Sequence, residues 1–151
     1  MEILIKAIIL SMLPISELRG GIPLAISYGV NPLFAFIVCV LANILVIPIM
    51  FLFLDTLHKL LLKINFYRKC FDYYIEKNRK KLEKYIGTKT EFWFILIFTG
   101  IPLPITGAYT ATVLSWFFGL KRLKAFLAIA LGVIIAGIIV TLTSIGLFSL
   151  I

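Results

Sequence analysis

Two long stretches without a charged residue constrain this chain more than any other feature of its sequence. Residues 33–54 contain no charged side chain, and residues 125–151 contain none up to the last residue. A helix needs roughly 20 predominantly apolar residues to cross the hydrocarbon core of a bilayer. Both stretches meet this requirement, and we predict that each forms a transmembrane helix.

The composition of the whole chain points to the same class. Hydrophobic residues make up 62% of the 151 residues, the mean hydropathy is +1.09 and only 15% of the residues are charged, against about 25% in soluble domains. A soluble domain of this size could not bury so much apolar surface, so we predict a single integral membrane domain, residues 1–151. An early acid, Glu2, and the lack of a small-residue cleavage pattern argue against a cleaved signal peptide.

A segment rich in Pro and Gly, residues 14–23, interrupts the apolar sequence near the N-terminus. The apolar runs on either side are each only about half as long as a membrane-spanning helix. Pro14 and Pro23 are predicted to break the helix, and broken backbone inside a membrane survives only where protein covers it or where it lines a wet cavity. We therefore predict that residues 3–29 form a re-entrant helical hairpin.

The second half of the chain repeats this pattern. Residues 92–118 comprise a short apolar run, a break at Pro102 and Pro104, and another short run. Aligning Pro14 with Pro102 matches the hydropathy of the two halves, although few residues are identical. The repetition predicts a second re-entrant hairpin, which opens on the opposite face because a single membrane span separates the two hairpins.

These features predict an all-α integral membrane protein built as an inverted repeat of two units, a transporter architecture. Each unit is a re-entrant helical hairpin followed by one transmembrane helix. In chain order the parts are repeat 1 (1–54, with hairpin 3–29 and transmembrane helix 33–54), a basic amphipathic helical connector (55–91) and repeat 2 (92–151, with hairpin 92–118 and transmembrane helix 125–151).

The basic residues are concentrated in two places, and their distribution predicts the orientation. Ten of the fifteen Lys and Arg residues lie between Asp55 and Glu91, and three more lie in the turn 119–124. With a re-entrant second hairpin both groups share one face, which the positive-inside rule makes cytoplasmic. We predict a multi-pass protein of the cell membrane with connector and turn in the cytoplasm, both termini on the opposite face, and no nucleic-acid partner.

The hairpin tips carry the residues best suited to binding a ligand. After each break a new helix begins inside the membrane, and the free N–H groups of a helix N-terminus favour anions. Ser16 and Thr106 are predicted N-caps, and Arg19 adds a permanent charge that suits phosphate or carboxylate. The predicted substrate-binding residues are Ser16, Arg19, Gly20, Gly21, Thr106, Gly107 and Tyr109. The glycines would let a ligand or the opposing hairpin approach the backbone, while Tyr109 either lines the site or packs between helices.

Glu17 is the only acid at predicted membrane depth. A buried carboxyl that binds and releases a proton can couple substrate movement to a proton gradient, which makes Glu17 the predicted proton-coupling residue. The alternative is that Glu17 and Arg19 belong to a buried network that pins the two hairpin tips together. The sequence leaves both interpretations open.

No constellation of residues indicates an enzyme, a metal site or a cofactor. The sequence offers no second intramembrane acid, contains a single histidine, His58, and has no phosphate-binding P-loop. Cys39 and Cys70 fall in different regions, so neither a disulfide nor a metal site is predicted from them.

The segments PISELRGGIP (14–23) and PLPITGA (102–108) resemble those of the small multidrug export proteins, a family of bacterial and archaeal membrane proteins. The resemblance covers nearly the whole chain. That family is distantly similar to the DedA superfamily, whose members share paired re-entrant hairpins and in several cases are implicated in moving polyprenyl-phosphate or other lipids across the bilayer. The resemblance assigns Glu17 and Arg19 to the site of the first hairpin, and Pro102, Pro104, Thr106 and Gly107 to that of the second.

We predict a small transporter or flippase whose two hairpins hold an anionic group, such as a lipid phosphate, near the midplane of the membrane. The predicted partners are membrane lipids, an anionic lipid or small-molecule substrate, and a second copy of the chain. Ala128, Gly132 and Ala136 lie at four-residue spacing on the last helix and are predicted to form the homodimer contact. Two alternatives are efflux of hydrophobic drugs, and a non-transporting scaffold or assembly factor in which residues 14–23 form a structural clasp.

Overall fold

The computed structural model describes residues 2–61, 63, 69, 73, 89–102 and 107–149. Within them the chain is helical apart from short turns and contains no β-strand, which confirms the predicted all-α class. The helices are α1 (Glu2–Met12), α2 (Glu17–Ser27), α3 (Pro32–Leu61), α4 (Lys89–Gly100), α5 (Ala108–Phe117) and α6 (Arg122–Ser149). Most of the predicted amphipathic connector lies outside the described residues.

Helices α3 and α6 are the two that are long and apolar enough to cross a membrane among the described residues. They pack against each other in antiparallel directions. Gly137 in the second half of α6 lies against Phe36 and Val40 near the start of α3, whereas Asp55 near the end of α3 pairs with Arg122 at the start of α6. The end of α3 and the start of α6 therefore lie at the same end of the molecule.

Helix α3 continues to Leu61, well beyond the predicted end of the first transmembrane helix at Leu54. A charged residue ends an apolar stretch but does not by itself end a helix, and the Asp55 carboxylate is stabilised by Arg122 and by the indole N–H of Trp116. At about 1.5 Å per residue, the 30 residues of α3 exceed a hydrocarbon core of roughly 30 Å. Its last turns therefore extend beyond the predicted span and into the predicted connector.

Four short helices lie beside α3 and α6. Helices α1 and α2 have 11 residues each, α4 has 12 and α5 has 10, so each covers only about half of a hydrocarbon core. Helix α1 packs mainly on α2, where a Cβ added to Gly21 would overlap Ser11 and the carbonyl of Ala7. Helix α4 instead packs mainly on α6, where a Cβ added to Gly132 would overlap Thr99.

Helices α2 and α5 end in the same way. Gly29 and Gly119 have φ angles of 80° and 66°, which glycine adopts without the steric cost that a Cβ would bring. The backbone N–H of the following residue, Val30 or Leu120, donates to a carbonyl in the last turn of its helix, at 3.1 Å and 3.0 Å. Helices α2 and α5 therefore both end next to a glycine, and the same type of tight turn connects each of them to the long helix that follows.

The two long helices bury equivalent positions. The buried residues of α3 include Ala35, Cys39, Asn43 and Ile47, and those of α6 at the corresponding positions ninety residues later are Ala125, Ile129, Val133 and Gly137. Because Gly29 and Gly119 are also ninety residues apart, these positions lie at equal distances from the preceding turn. Each long helix therefore presents the same face to the interior.

The face formed by Ala128, Gly132 and Ala136, predicted to contact a second copy, is covered within the chain. All three residues are buried, and Gly132 packs against Thr99 of α4. The location predicted for the homodimer contact is therefore wrong, because the small residues serve the close approach of α4 to α6 in one copy.

The break predicted at Pro23 is also wrong, since α2 continues through Pro23 to Ser27. Proline cannot supply the N–H that would bond to the carbonyl four residues earlier, at Arg19. Helices at membrane depth tolerate this loss where neighbouring groups surround the backbone. Pro14 does lie in the turn between α1 and α2, and Pro102 lies two residues after the last residue of α4, Gly100.

Candidate functional site

The turn between α1 and α2 meets the start of α5. The hydroxyl of Tyr109, in the first turn of α5, donates a hydrogen bond to the carbonyl of Met12 at the end of α1. Glu17, the first residue of α2, lies against Gly107, the residue before α5. These contacts join two segments that are about 90 residues apart in sequence and bring the predicted hairpin tips together.

The Glu17 side chain makes the central contact between the two halves. Its carboxylate accepts a hydrogen bond from the backbone N–H of Tyr109, and a Cβ added to Gly107 would overlap both carboxylate oxygens. Gly107 is the N-cap of α5 and provides no side-chain cap of its own. The carboxylate therefore occupies the N-terminus of α5, where the helix dipole and the free N–H groups favour negative charge.

The backbone of Glu17 is strained in this position. Its φ angle is 45°, and among the described residues it is the only one besides glycine with a positive φ. For a residue with a Cβ this conformation costs roughly 1–2 kcal/mol. Such strain persists where surrounding contacts fix the conformation, and it is typical of functional positions.

Arg19 and Glu17 line one small cavity where the tips meet. Its volume is about 10 Å³, enough for about one water molecule. Among the described residues, the polar side chains of its wall are Glu17, Arg19, Asn43 and Thr99, and Pro102 and Gly107 contribute from the second tip. Arg19 is half-buried and places its positive charge near the Glu17 carboxylate. The structure thus brings Glu17, Arg19, Pro102 and Gly107 together, as the sequence led us to expect.

Asn43 and Thr99 line the cavity but were not among the predicted site residues. Asn43 donates through Nδ2 to the carbonyl of Ser11 at 2.9 Å, which joins α3 to α1. Its Oδ1 accepts no hydrogen bond from any described residue, although the side chain is fully buried and lines the cavity. The sequence does show that Asn43 is a polar residue within an apolar span. This polarity alone does not indicate that Asn43 lines a cavity.

Three predicted site residues face α1 and not the second hairpin. The hydroxyl of Ser16 donates to the carbonyl of Leu10 at 2.5 Å and makes no capping hydrogen bond to α2. Gly20 lies against Leu10, and Gly21 lies against Ser11. These residues stabilise the pairing of α1 with α2. Ser16 occupies the predicted N-cap position of α2, but its side chain does not cap the helix. Pro104 and Thr106 lie outside the described residues.

A second polar cluster lies at the end of α3, in the region of the predicted connector. The two guanidinium nitrogens of Arg122 contact the two oxygens of Asp55 at 2.8 Å and 3.0 Å. Nε1 of Trp116 donates to the same carboxylate at 2.9 Å, and the ring of His58 meets the indole edge-on at 5.2 Å. The cluster joins α3, α5 and α6 at one end of the molecule.

The structure has features of a membrane transport protein. It combines two apolar helices of spanning length with four short helices beside them and a polar cavity at the tips. Residues 17–139 match the family described as "Putative small multi-drug export protein". The chain belongs to this family, which confirms the resemblance seen in the sequence and places the protein among export proteins, which are not a class of enzymes. No curated protein and no solved structure gives a significant match.

Proposed function

We propose that this protein is a transporter whose substrate site lies between the tips of two re-entrant hairpins. The short lengths of α1, α2, α4 and α5 support this proposal, because helices of 10 to 12 residues reach only about halfway across a bilayer. The observation that carries the proposal is the cavity at the tips, where Arg19 and Glu17 lie beside the N-terminus of α5.

We propose further that the two halves are an inverted repeat. The matching turns at Gly29 and Gly119 and the equivalent buried faces of α3 and α6 support a repeat. The antiparallel packing of α3 and α6 supports inversion, and the contact between Asp55 and Arg122 supports a common end of the molecule for the start of the connector and the turn 119–124. In this proposal that end is cytoplasmic and both termini lie on the opposite face.

The proposed substrate carries an anionic group such as a lipid phosphate, which would make the protein a flippase. Arg19 offers a planar, permanently charged donor, and the N-terminus of α5 offers backbone N–H groups. Glu17 is the proposed proton-coupling residue because it is the acid beside this site. The proposed homodimer uses a face other than Ala128, Gly132 and Ala136, which α4 covers.

Reconstitution into proteoliposomes tests the proposal. We expect the protein to move a fluorescent lipid with a phosphate monoester headgroup across the bilayer, and we expect Arg19→Ala to slow this movement at least about tenfold, since one lost charge contact of about 1.4 kcal/mol changes a rate by that factor. The control is Lys121→Ala, which removes an exposed basic residue and is expected to keep the wild-type rate. An Arg19→Ala variant that stays folded and moves the lipid at the wild-type rate contradicts the proposal.

Two other functions have specific support. The family description favours drug export, which predicts uptake of a lipophilic cation that phosphate lipids do not inhibit. The hydrogen bonds from Tyr109 to Glu17 and to Met12 tie the tips together and favour a structural clasp. A clasp predicts no flux of either substrate and a large loss of stability in Arg19→Ala.

A further inference from the structure

The N-terminus of α5 is already occupied by an anion that belongs to the chain. The Glu17 carboxylate accepts the backbone N–H of Tyr109 and fills the space beside Gly107 that a Cβ would take. A phosphate group of a substrate would seek the same backbone donors, because free N–H groups at a helix N-terminus bind anions. The carboxylate and a substrate anion therefore cannot occupy this position together.

The cavity also contains a hydrogen-bond acceptor that lacks a donor. Asn43 lines the cavity and donates its Nδ2 to the carbonyl of Ser11, while its buried Oδ1 has no hydrogen-bond partner among the described residues. An ionised carboxylate has no proton to give, whereas a protonated carboxyl donates one hydrogen bond. Glu17 and Asn43 line the same water-sized cavity, so a protonated Glu17 carboxyl and the unpartnered acceptor share one small space, whereas the ionised carboxylate lies at the N-terminus of α5.

Among the described residues, few charged or titratable groups lie around Glu17. Arg19 comes from the same helix, and Tyr109 comes from α5 with its hydroxyl bonded to the carbonyl of Met12. In the described parts of α3, α4 and α6, the cavity wall consists of Asn43, Thr99 and apolar residues. Because Arg19 keeps its charge at every relevant pH, Glu17 is the group among the described residues whose charge can change in the cavity.

We propose that Glu17 is an internal competitor for the anion site, released when it takes up a proton. Protonation moves the carboxyl from the N-terminus of α5 to Oδ1 of Asn43, and the substrate anion then binds the freed N–H groups beside Arg19. The proton on Glu17 offsets one of the negative charges that the substrate anion brings into the site. This proposal rests on the proposed function, because it concerns the same anion site.

Sulfate is a suitable probe because its charge does not change between pH 5 and pH 8. We expect isothermal titration of the purified protein to show sulfate binding at least tenfold tighter at pH 5 than at pH 8. Glu17→Gln, which mimics the protonated form, is expected to bind at pH 8 as tightly as the wild type does at pH 5, with no dependence on pH. The control Glu2→Gln makes the same change at an exposed acid and is expected to keep the wild-type profile.

Asn43→Val tests the acceptor separately. We expect sulfate binding to weaken about fivefold at pH 5 and to stay unchanged at pH 8, because only the protonated form of Glu17 uses Oδ1. The matched control is Ser115→Ala, which removes a buried hydroxyl that also has no partner among the described residues but does not line the cavity.

Different results of the sulfate titrations would overturn different proposals. Sulfate binding that requires Arg19 but does not change with pH in the wild type, or does not tighten in Glu17→Gln, overturns the competition and leaves the anion site standing. No sulfate binding by the wild type or by Glu17→Gln at either pH overturns the proposed anion site itself. The wild-type comparison between pH 5 and pH 8 decides the question even where a variant fails to fold.

Discussion

The two halves of the molecule have the same order of helices but place the first helix differently. In the first half, α1 packs on α2 through Gly21, and the hairpin is closed. In the second half, α4 packs on α6 through Gly132 and touches α5 little. The N-terminus of α5 is therefore open to the first hairpin, and Glu17 enters it.

The difference extends to the chemistry that each tip contributes. The first tip carries both charges of the site, Glu17 and Arg19, whereas residues 102–118 contain no charged side chain. The second tip contributes backbone N–H groups at the start of a helix, which act as a partial positive charge. The two halves therefore contribute different groups to one site, although their helices follow the same order. The first half supplies charged side chains, and the second half supplies a helix N-terminus.

The largest expected effects come from filling the space at Gly132 and Gly21, where α4 and α1, the first helices of the two halves, lie close to their neighbours. In Gly132→Ala the new Cβ would come within 2.9 Å of the Leu96 carbonyl, and in Gly21→Ala it would overlap the carbonyl of Ala7. Backbone atoms cannot rotate away, and overpacking of this kind costs about 1–3 kcal/mol. We expect the apparent unfolding temperature in detergent to fall by about 2–4 °C for each kcal/mol.

Gly146→Ala is the control for both substitutions. Gly146 also lies in a long helix, but no atom lies within 4 Å of its added Cβ, so the replacement should leave stability unchanged or raise it slightly. If Gly132→Ala is as stable as Gly146→Ala, helix α4 does not pack closely on α6 and the difference between the halves disappears.

A smaller effect is expected where the two halves meet. In Gly107→Ala the Cβ would overlap the Glu17 carboxylate, which is a flexible side chain, so we expect a loss near the lower end of the roughly 1–3 kcal/mol range. The double variant Glu17→Gly with Gly107→Ala tests the cause by thermal unfolding. If the contact is responsible, Gly107→Ala costs almost nothing in the Glu17→Gly background, whereas equal losses in both backgrounds exclude it.

The smallest expected loss of stability concerns the turn that both halves contain, at Gly29 and at Gly119. Gly29→Ala and Gly119→Ala place a Cβ in open space, so only the positive φ angle is penalised, by about 1 kcal/mol in each case. We expect the two losses in thermal stability to agree within experimental error. Clearly unequal losses would mean that the turns before α3 and α6 are not equivalent.

Features that depend on neighbouring residues could be predicted from the sequence. The turn at Pro14 and the helix ends next to Gly29 and Gly119 follow from the local conformational limits of proline and glycine. The extension of α3 could not be predicted in this way, because the partners of Asp55 are Trp116 and Arg122, more than 60 residues away in the chain.

The site was predicted only in part for a related reason. Arg19 and Glu17 are conspicuous as charges in an apolar sequence, but the backbone donor that Glu17 meets has no sequence signature. Gly20 and Gly21 look the same in the sequence whether a ligand or another helix approaches them, and the structure places α1 there. The polarity of Asn43 within an apolar span is consistent with its hydrogen bond to another helix. Its place in the cavity wall depends on how the other helices pack, which the sequence does not show.

The pairing of Asp55 with Arg122 limits how the two long helices can move. It joins the last turns of one to the first turn of the other with two contacts between the same pair of groups. Near the other end the same two helices touch through Gly137 and Val40, and Phe36, Ile138 and Leu142 line a groove of about 450 Å³. The pair is therefore held by a charged contact at one end and by apolar packing at the other, so a movement of one long helix against the other would have to break two contacts of different chemistry.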